Sequence, residues 1–236
     1  MRKLSLCLDT LPALREISGG AQLDLSAATS LAELAGVDAL RLGINDDLRP
    51  VAEADVHLLR RTARLFELRM PANQGLLKVA LETRPDAVLL SGDGFEGALA
   101  ARPLELRSQS STLAPIVRAL EEAGIAVAML VTPALESVKA AHGLGVHTVE
   151  LFTGSTVDLP EVERRGRLEA LADAARLASK LRMTLSLGGG LDYRSVSEVL
   201  PMATSAGRVS VGRALLSRSM LVGLDRAVRD FLALIR

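Results

Sequence analysis

Only one cysteine, Cys7, occurs in the 236 residues. That excludes an internal disulfide framework and a cysteine-built metal site. There is no tryptophan, one tyrosine and four phenylalanines, yet 49% of the residues are hydrophobic. The core must therefore be aliphatic. The formal net charge is +0, so no electrostatic argument favours nucleic acid or an anionic membrane surface as a partner. No apolar run reaches the ~18 residues needed to cross a bilayer. The N-terminus lacks the charged, apolar and small-residue succession of a secretory signal. A soluble cytoplasmic protein is the expectation. Histidine is scarce as well, with only His57, His142 and His147.

What the chain does have is a rhythm. Short apolar runs alternate with longer amphipathic segments, as in β/α folds. Strands are expected at Leu4–Asp9, Ala39–Ile44, Leu65–Met70, Ala87–Ser91, Ile125–Val131, Val146–Leu151, Met183–Leu187 and Arg208–Val211. Helices are expected at Asp24–Gly36, Glu53–Ala63, Asn73–Thr83, Thr112–Gly124, Pro133–Gly143, Glu161–Leu181 and Arg213–Leu234. Asp24 reads as an N-cap and Gly36 as a stop. Runs apolar on both faces read as buried parallel strands. Eight such units without a visible linker predict α/β class and a single (β/α)8 TIM barrel over residues 1–236, with an inserted loop at about 92–111. A doubly wound sheet is the alternative, but Asp9-Thr10-Leu11-Pro12 stands where its glycine-rich turn would be.

In a barrel the chemistry sits at the C-terminal ends of the strands. The candidates there are Asp9, Thr10 and Arg15 after the first strand, and Asn45, Asp46, Asp47 and Arg49 after the second. Glu67 and Arg69 lie on the third, Ser91 and Asp93 after the fourth, and Thr132 after the fifth. Glu150 and Thr153 belong to the sixth, Ser186 with Gly188, Gly189 and Gly190 to the seventh, and Ser210, Gly212 and Arg213 to the eighth. Glycine lets a backbone approach a ligand closely, and a helix N-terminus presents free N–H groups to an anion. The turn Gly188–Gly190 and the start of the last helix at Gly212-Arg213 thus read as a phosphate cradle. Glu150 has two readings, a general base or the partner of an arginine inside the barrel. Asp9 either takes part in chemistry or holds backbone amides. An inward Arg69 needs an anion or a carboxylate partner, for which Glu150 or Asp9 would serve; on the outer face it would be an ordinary helix contact. No histidine is placed for acid–base work, so the side chain with an ordinary pKa near ~6.5 is missing. No Ser–His–Asp set can be assembled. No metal spacing occurs, and no cofactor is expected.

These residues are similar to those of the pyridoxine 5′-phosphate synthase family over nearly the whole chain. Val211-Gly212-Arg213-Ala214-Leu215-Leu216-Ser217-Arg218-Ser219-Met220-Leu221-Val222-Gly223-Leu224 resembles the family's I-G-H-A-I-I-G-R-A-V-M-T-G-L. Glu150-Leu151-Phe152-Thr153-Gly154 resembles E-I-H-T-G, and Gly188-Gly189-Gly190-Leu191 resembles G-H-G-L. The resemblance implies a barrel that condenses deoxyxylulose 5-phosphate with aminoacetone 3-phosphate, and a ring-like octamer. The faces 11–17 and 221–234 are the candidate self-contacts. Asp9, Arg15, Arg49, Glu150, Thr153, Gly190 and Gly212 match the family pattern. The departures fall on its histidines: Thr10, Gly43, Pro50, Gly189 and Arg213 stand at histidine positions, and Arg69 at a glutamate. Losing one general acid or base commonly costs ~10²–10⁴-fold in rate. The expectation is a divergent member that binds a phosphorylated small molecule, with its family reaction altered or lost. Glu150, Asp9 and Arg69 are the candidate catalytic residues. Arg15, Asn45, Arg49, Thr153, Gly188, Gly189, Gly190, Gly212 and Arg213 are the candidate binding residues. A non-catalytic regulatory paralogue and another sugar-phosphate lyase or isomerase are the alternatives.

Overall fold

The computed structural model describes residues 1–18, 23–92, 102–156 and 159–236. Strands β1 (Lys3–Cys7), β2 (Ala39–Gly43), β3 (Phe66–Pro71), β4 (Ala87–Ser91), β5 (Ala126–Val131), β6 (Thr148–Phe152), β7 (Thr184–Gly188) and β8 (Arg208–Val211) run parallel. They close in sequence order, with β8 pairing back onto β1. The fold is the expected (β/α)8 barrel.

Alternation along each strand sorts the side chains into two regions. Leu4 and Leu6, Leu40 and Leu42, Leu68 and Met70, and Val149 and Leu151 belong to the aliphatic core between sheet and helices. The opposite face of the same strands carries Ser5, Arg41, Glu67, Arg69, Glu150, Ser186 and Ser210, all buried. Arg41 on β2 bonds Glu150 on β6. Strands that far apart around a closed barrel meet only through its interior. The barrel is therefore filled largely with ion pairs where branched aliphatic layers are usual.

Around the sheet lie α1 (Thr10–Ile17), α2 (Leu25–Ala35), α3 (Glu53–Thr62), α4 (Gln74–Thr83), α5 (Leu106–Glu122), α6 (Leu135–Gly143), α7 (Glu161–Lys180), α8 (Ser195–Val199) with a 3-10 turn (Leu200–Ala203), α9 (Arg213–Val222) and α10 (Leu224–Ile235). Asp24 caps α2, its Oδ1 accepting from Ser26 and Ala27 at 2.9 and 3.0 Å. Asp24→Ala is expected to cost about 1 kcal/mol in a chemical denaturation experiment.

Three helical expectations need correction. The segment after β1 is the helix α1, with Pro12 in its first turn, where a missing N–H costs nothing. Helix α5 begins at Leu106 and not Thr112, because Leu106, Leu113, Ile116, Val117 and Leu120 form one buried stripe that carries the helix through Pro115. The last helix is two: Gly223 at φ 84° breaks it into α9 and α10. Of the loop expected at about 92–111, Gly92 pairs antiparallel with Arg102. Residues 93–101, Asp93 among them, lie outside the described residues. Among the described residues no helix is long and apolar enough to cross a membrane.

Candidate active site

A cavity of about 430 Å³ opens at the C-terminal ends of the strands, its wall including Asp9, Arg41, Arg69, Glu150, Gly190 and Arg213. Gly189 and Gly212 also line it. Glu150 sits on β6 with its Oε1 accepting from Arg41 Nη1 at 2.9 Å. Its Oε2 accepts from Arg41 Nη2 and from the Ser210 hydroxyl, both at 2.8 Å. Glu150 is thus paired with an arginine inside the barrel. The remaining side of the Arg41 guanidinium donates from Nε to Glu67 Oε2 at 3.0 Å. Glu67 in turn accepts from the Ser5 hydroxyl at 2.7 Å and pairs with Arg208. Burial opposes the Arg41 charge, but the Glu150 carboxylate outweighs it and holds the guanidinium above its ordinary range. Burial, and then the charge of Arg41, push Arg208 the other way.

The second pair lies at the mouth. Arg69 is buried inside the barrel, as its inward reading requires, and its Nη2 donates to Asp9 Oδ2 at 2.9 Å. Asp9 Oδ1 accepts from the Gly43 N–H at 2.6 Å. It therefore holds both a backbone amide and an arginine. Gly43 and Gly188 are spacers in this network. A Cβ on Gly43 would strike the Arg69 guanidinium, and one on Gly188 would strike the Glu150 carboxylate.

The third lining carboxylate is Asp192, in the turn before α8. Its Oδ1 accepts from the N–H groups of Arg194 and Ser195 and from the Ser195 hydroxyl. Burial works against its charge, but the bonds from Ser195 prevail and hold the carboxyl below its usual range. A carboxylate that accepts from several donors has its charged form favoured, which weakens it as a base.

Gly189 and Gly190 adopt φ 75° and 122° and line the cavity together with Gly212 and Arg213 at the start of α9. The first N–H groups of that helix have no intrahelical acceptor. Arg213, exposed at the same end, forms no ion pair among the described residues. Cys7 lines the cavity, but burial, then the negative charge of Asp9, push its thiol up to about 12. At pH 8 a disulfide reagent is expected to react with native Cys7 roughly 10³-fold more slowly than with the unfolded chain, the rate rising with pH. A stopped-flow thiol titration checks this.

Other candidates lie elsewhere. Arg15, on α1, is spent on Asp55, with Nη1 and Nη2 donating to the two carboxylate oxygens at 2.8 and 2.7 Å. Asn45 donates to the Arg49 carbonyl at 3.2 Å in the loop after β2, away from the cavity wall. Thr153 stands behind the turn, its hydroxyl donating to the Gly188 carbonyl at 3.1 Å. None of His57, His142 and His147 lines the cavity. Sequence reasoning passed over Arg41, Arg208 and Asp192. The signal for Arg41 was present: a lone charge between Leu40 and Leu42 in a buried strand faces the barrel interior.

The family model for the pyridoxal phosphate biosynthesis protein PdxJ matches residues 4–236. The chain belongs to the PdxJ family. It is 32% identical to a pyridoxine 5′-phosphate synthase of Pelobacter propionicus over 240 residues, covering 100% of this chain and 99% of that one. It is 32% identical to the pyridoxine 5′-phosphate synthase of Geobacter metallireducens at the same coverage. Among solved structures, tryptophan synthase subunit alpha from Campylobacter jejuni shares 14% identity at a TM-score of 0.61, over 97% of this chain and 94% of that one. That likeness speaks for the barrel alone. The PdxJ family match spans every element that builds the cavity, from Asp9 to Arg213.

Proposed function

We propose that this PdxJ-family barrel binds a phosphorylated small molecule in the cavity and that the condensation named for its relatives is altered or lost. One observation carries the reading. Among the described residues, the cavity that carries the glycine turn and the start of α9 is lined by three carboxylates that all have internal partners, and by no histidine. Binding needs only the N–H groups and Arg213. Acid–base turnover needs a proton acceptor, and Glu150 is engaged by Arg41 and Ser210.

Deoxyxylulose 5-phosphate and aminoacetone 3-phosphate, incubated with the purified chain, are expected to give no pyridoxine 5′-phosphate at usual enzyme rates of ~1–10³ s⁻¹. Formation at such rates, abolished by Glu150→Gln, overturns the loss. Self-association belongs to the same reading. Met220 and Leu221 are 66% and 86% exposed in succession on α9, and Ile17 is 83% exposed on α1; apolar side chains exposed together favour contact between copies. Light scattering coupled to size exclusion is expected to give a homo-oligomer, an octamer by family resemblance.

A further inference from the structure

The cavity's two inner arginines are not equivalent. Arg41 is consumed: Glu67 and Glu150 take its Nε, Nη1 and Nη2. Arg69 is 4% exposed and lines the cavity, yet only its Nη2 has a hydrogen-bond acceptor, Asp9, among the described residues. A guanidinium carries five N–H donors and no acceptor, and it does not lose its charge. Its Nε–H and Nη1–H groups are therefore uncommitted in a buried place where electrostatic attraction is strong. Its planar fork matches the two oxygens of a carboxylate, which satisfies two donors at once. Among the described residues, Glu150 and Asp9 are engaged at both carboxylate oxygens, and Asp192 accepts from its own turn at Oδ1. No other described carboxylate bonds Arg69, which leaves its free donors for a ligand.

We infer that Arg69 is a specificity-determining residue that receives a ligand carboxylate, so that the cavity takes a small phosphorylated carboxylic acid. The phosphate lies at the Gly190 turn and α9, and the carboxylate at Arg69. This rests on the phosphate-binding reading above and adds the second acidic group.

Calorimetric titration of the full chain tests it with 2-phosphoglycolate, dihydroxyacetone phosphate, glycerol 3-phosphate and inorganic phosphate. The first should bind at least about tenfold more tightly than the second and third, as a charge-assisted pair implies. Arg69→Met should bring the three organic phosphates within about twofold of one another while inorganic phosphate binds as before. Because that variant strands Asp9, the double variant Asp9→Asn with Arg69→Met, which removes both charges, is titrated alongside after a thermal melt. It should lose the preference in the same way. Equal affinities in the unmodified chain, or a preference that persists in the folded double variant, overturn the assignment and leave phosphate binding standing. Tighter binding of dihydroxyacetone phosphate overturns the carboxylate in favour of a carbonyl. If none of the four probes binds, the phosphate reading falls, and this inference with it.

Discussion

Arg41→Ala is expected to lower the melting temperature by roughly 6–20 °C, from a loss of about 3–5 kcal/mol. The side chain is buried and bridges two carboxylates on strands that do not touch, Glu67 of β3 and Glu150 of β6. Taking it away leaves Glu150 with Ser210 alone, and Glu67 with Ser5 and Arg208. Much of the cost is then that of buried, uncompensated charge. It does not measure the worth of the original pair. A second substitution makes the point measurable. Adding Glu150→Gln to Arg41→Ala removes one stranded charge and should recover part of the loss. Guanidinium chloride melts of the single and double variants give the coupling directly. Additive destabilisation would mean that Glu150 finds solvent or another partner when Arg41 is gone.

Gly190→Ala comes second, with an expected loss of about 2–4 kcal/mol. The backbone there has φ 122°, where a side chain is strained, and an added Cβ would stand 2.6 Å from the Gly154 carbonyl carbon. The obstacle is backbone, so no rotamer change relieves it. The turn must move, and with it the cradle beside α9. Binding of inorganic phosphate is expected to weaken along with the melting temperature. Gly166→Ala supplies the contrast. Gly166 lies in α7 with nothing within 4 Å of an added Cβ, so that change should stabilise by about 0.5–1 kcal/mol.

Legibility varied with how local the cause was. The strand β4 is observed at Ala87–Ser91 and β8 at Arg208–Val211, as expected. The first is a short apolar run, and the second alternates Val209 and Val211 with Arg208 and Ser210 between Gly207 and Gly212. Helix α1 escaped notice because eight residues with a proline near the start resemble a loop when read alone. The start of α5 was displaced because residues 106–111 were counted with the inserted loop. Only the buried stripe from Leu106 onward reveals the longer helix.

The candidate site divides in the same way. The glycine turn, Gly212 and Arg213, Asp9, Arg69 and Glu150 could be gathered from strand order alone, because a barrel brings successive strand ends to one face. Arg15 and Arg49 were gathered by the same rule, but neither reaches the cavity wall.

The amino-acid sequence by itself determined the aliphatic core, the eight-fold alternation, and the placement of all three histidines away from the C-terminal strand ends. Periodicity and composition are properties of neighbouring residues. The tertiary structure alone decided which charge meets which. Arg41 and Glu150 are 109 positions apart, and Arg15 and Asp55 are 40 apart. Alternation tells which face of a strand a charge occupies. Only closure of the barrel selects its partner. That selection leaves Glu150 and Arg41 spent on each other and Arg69 with donors to spare.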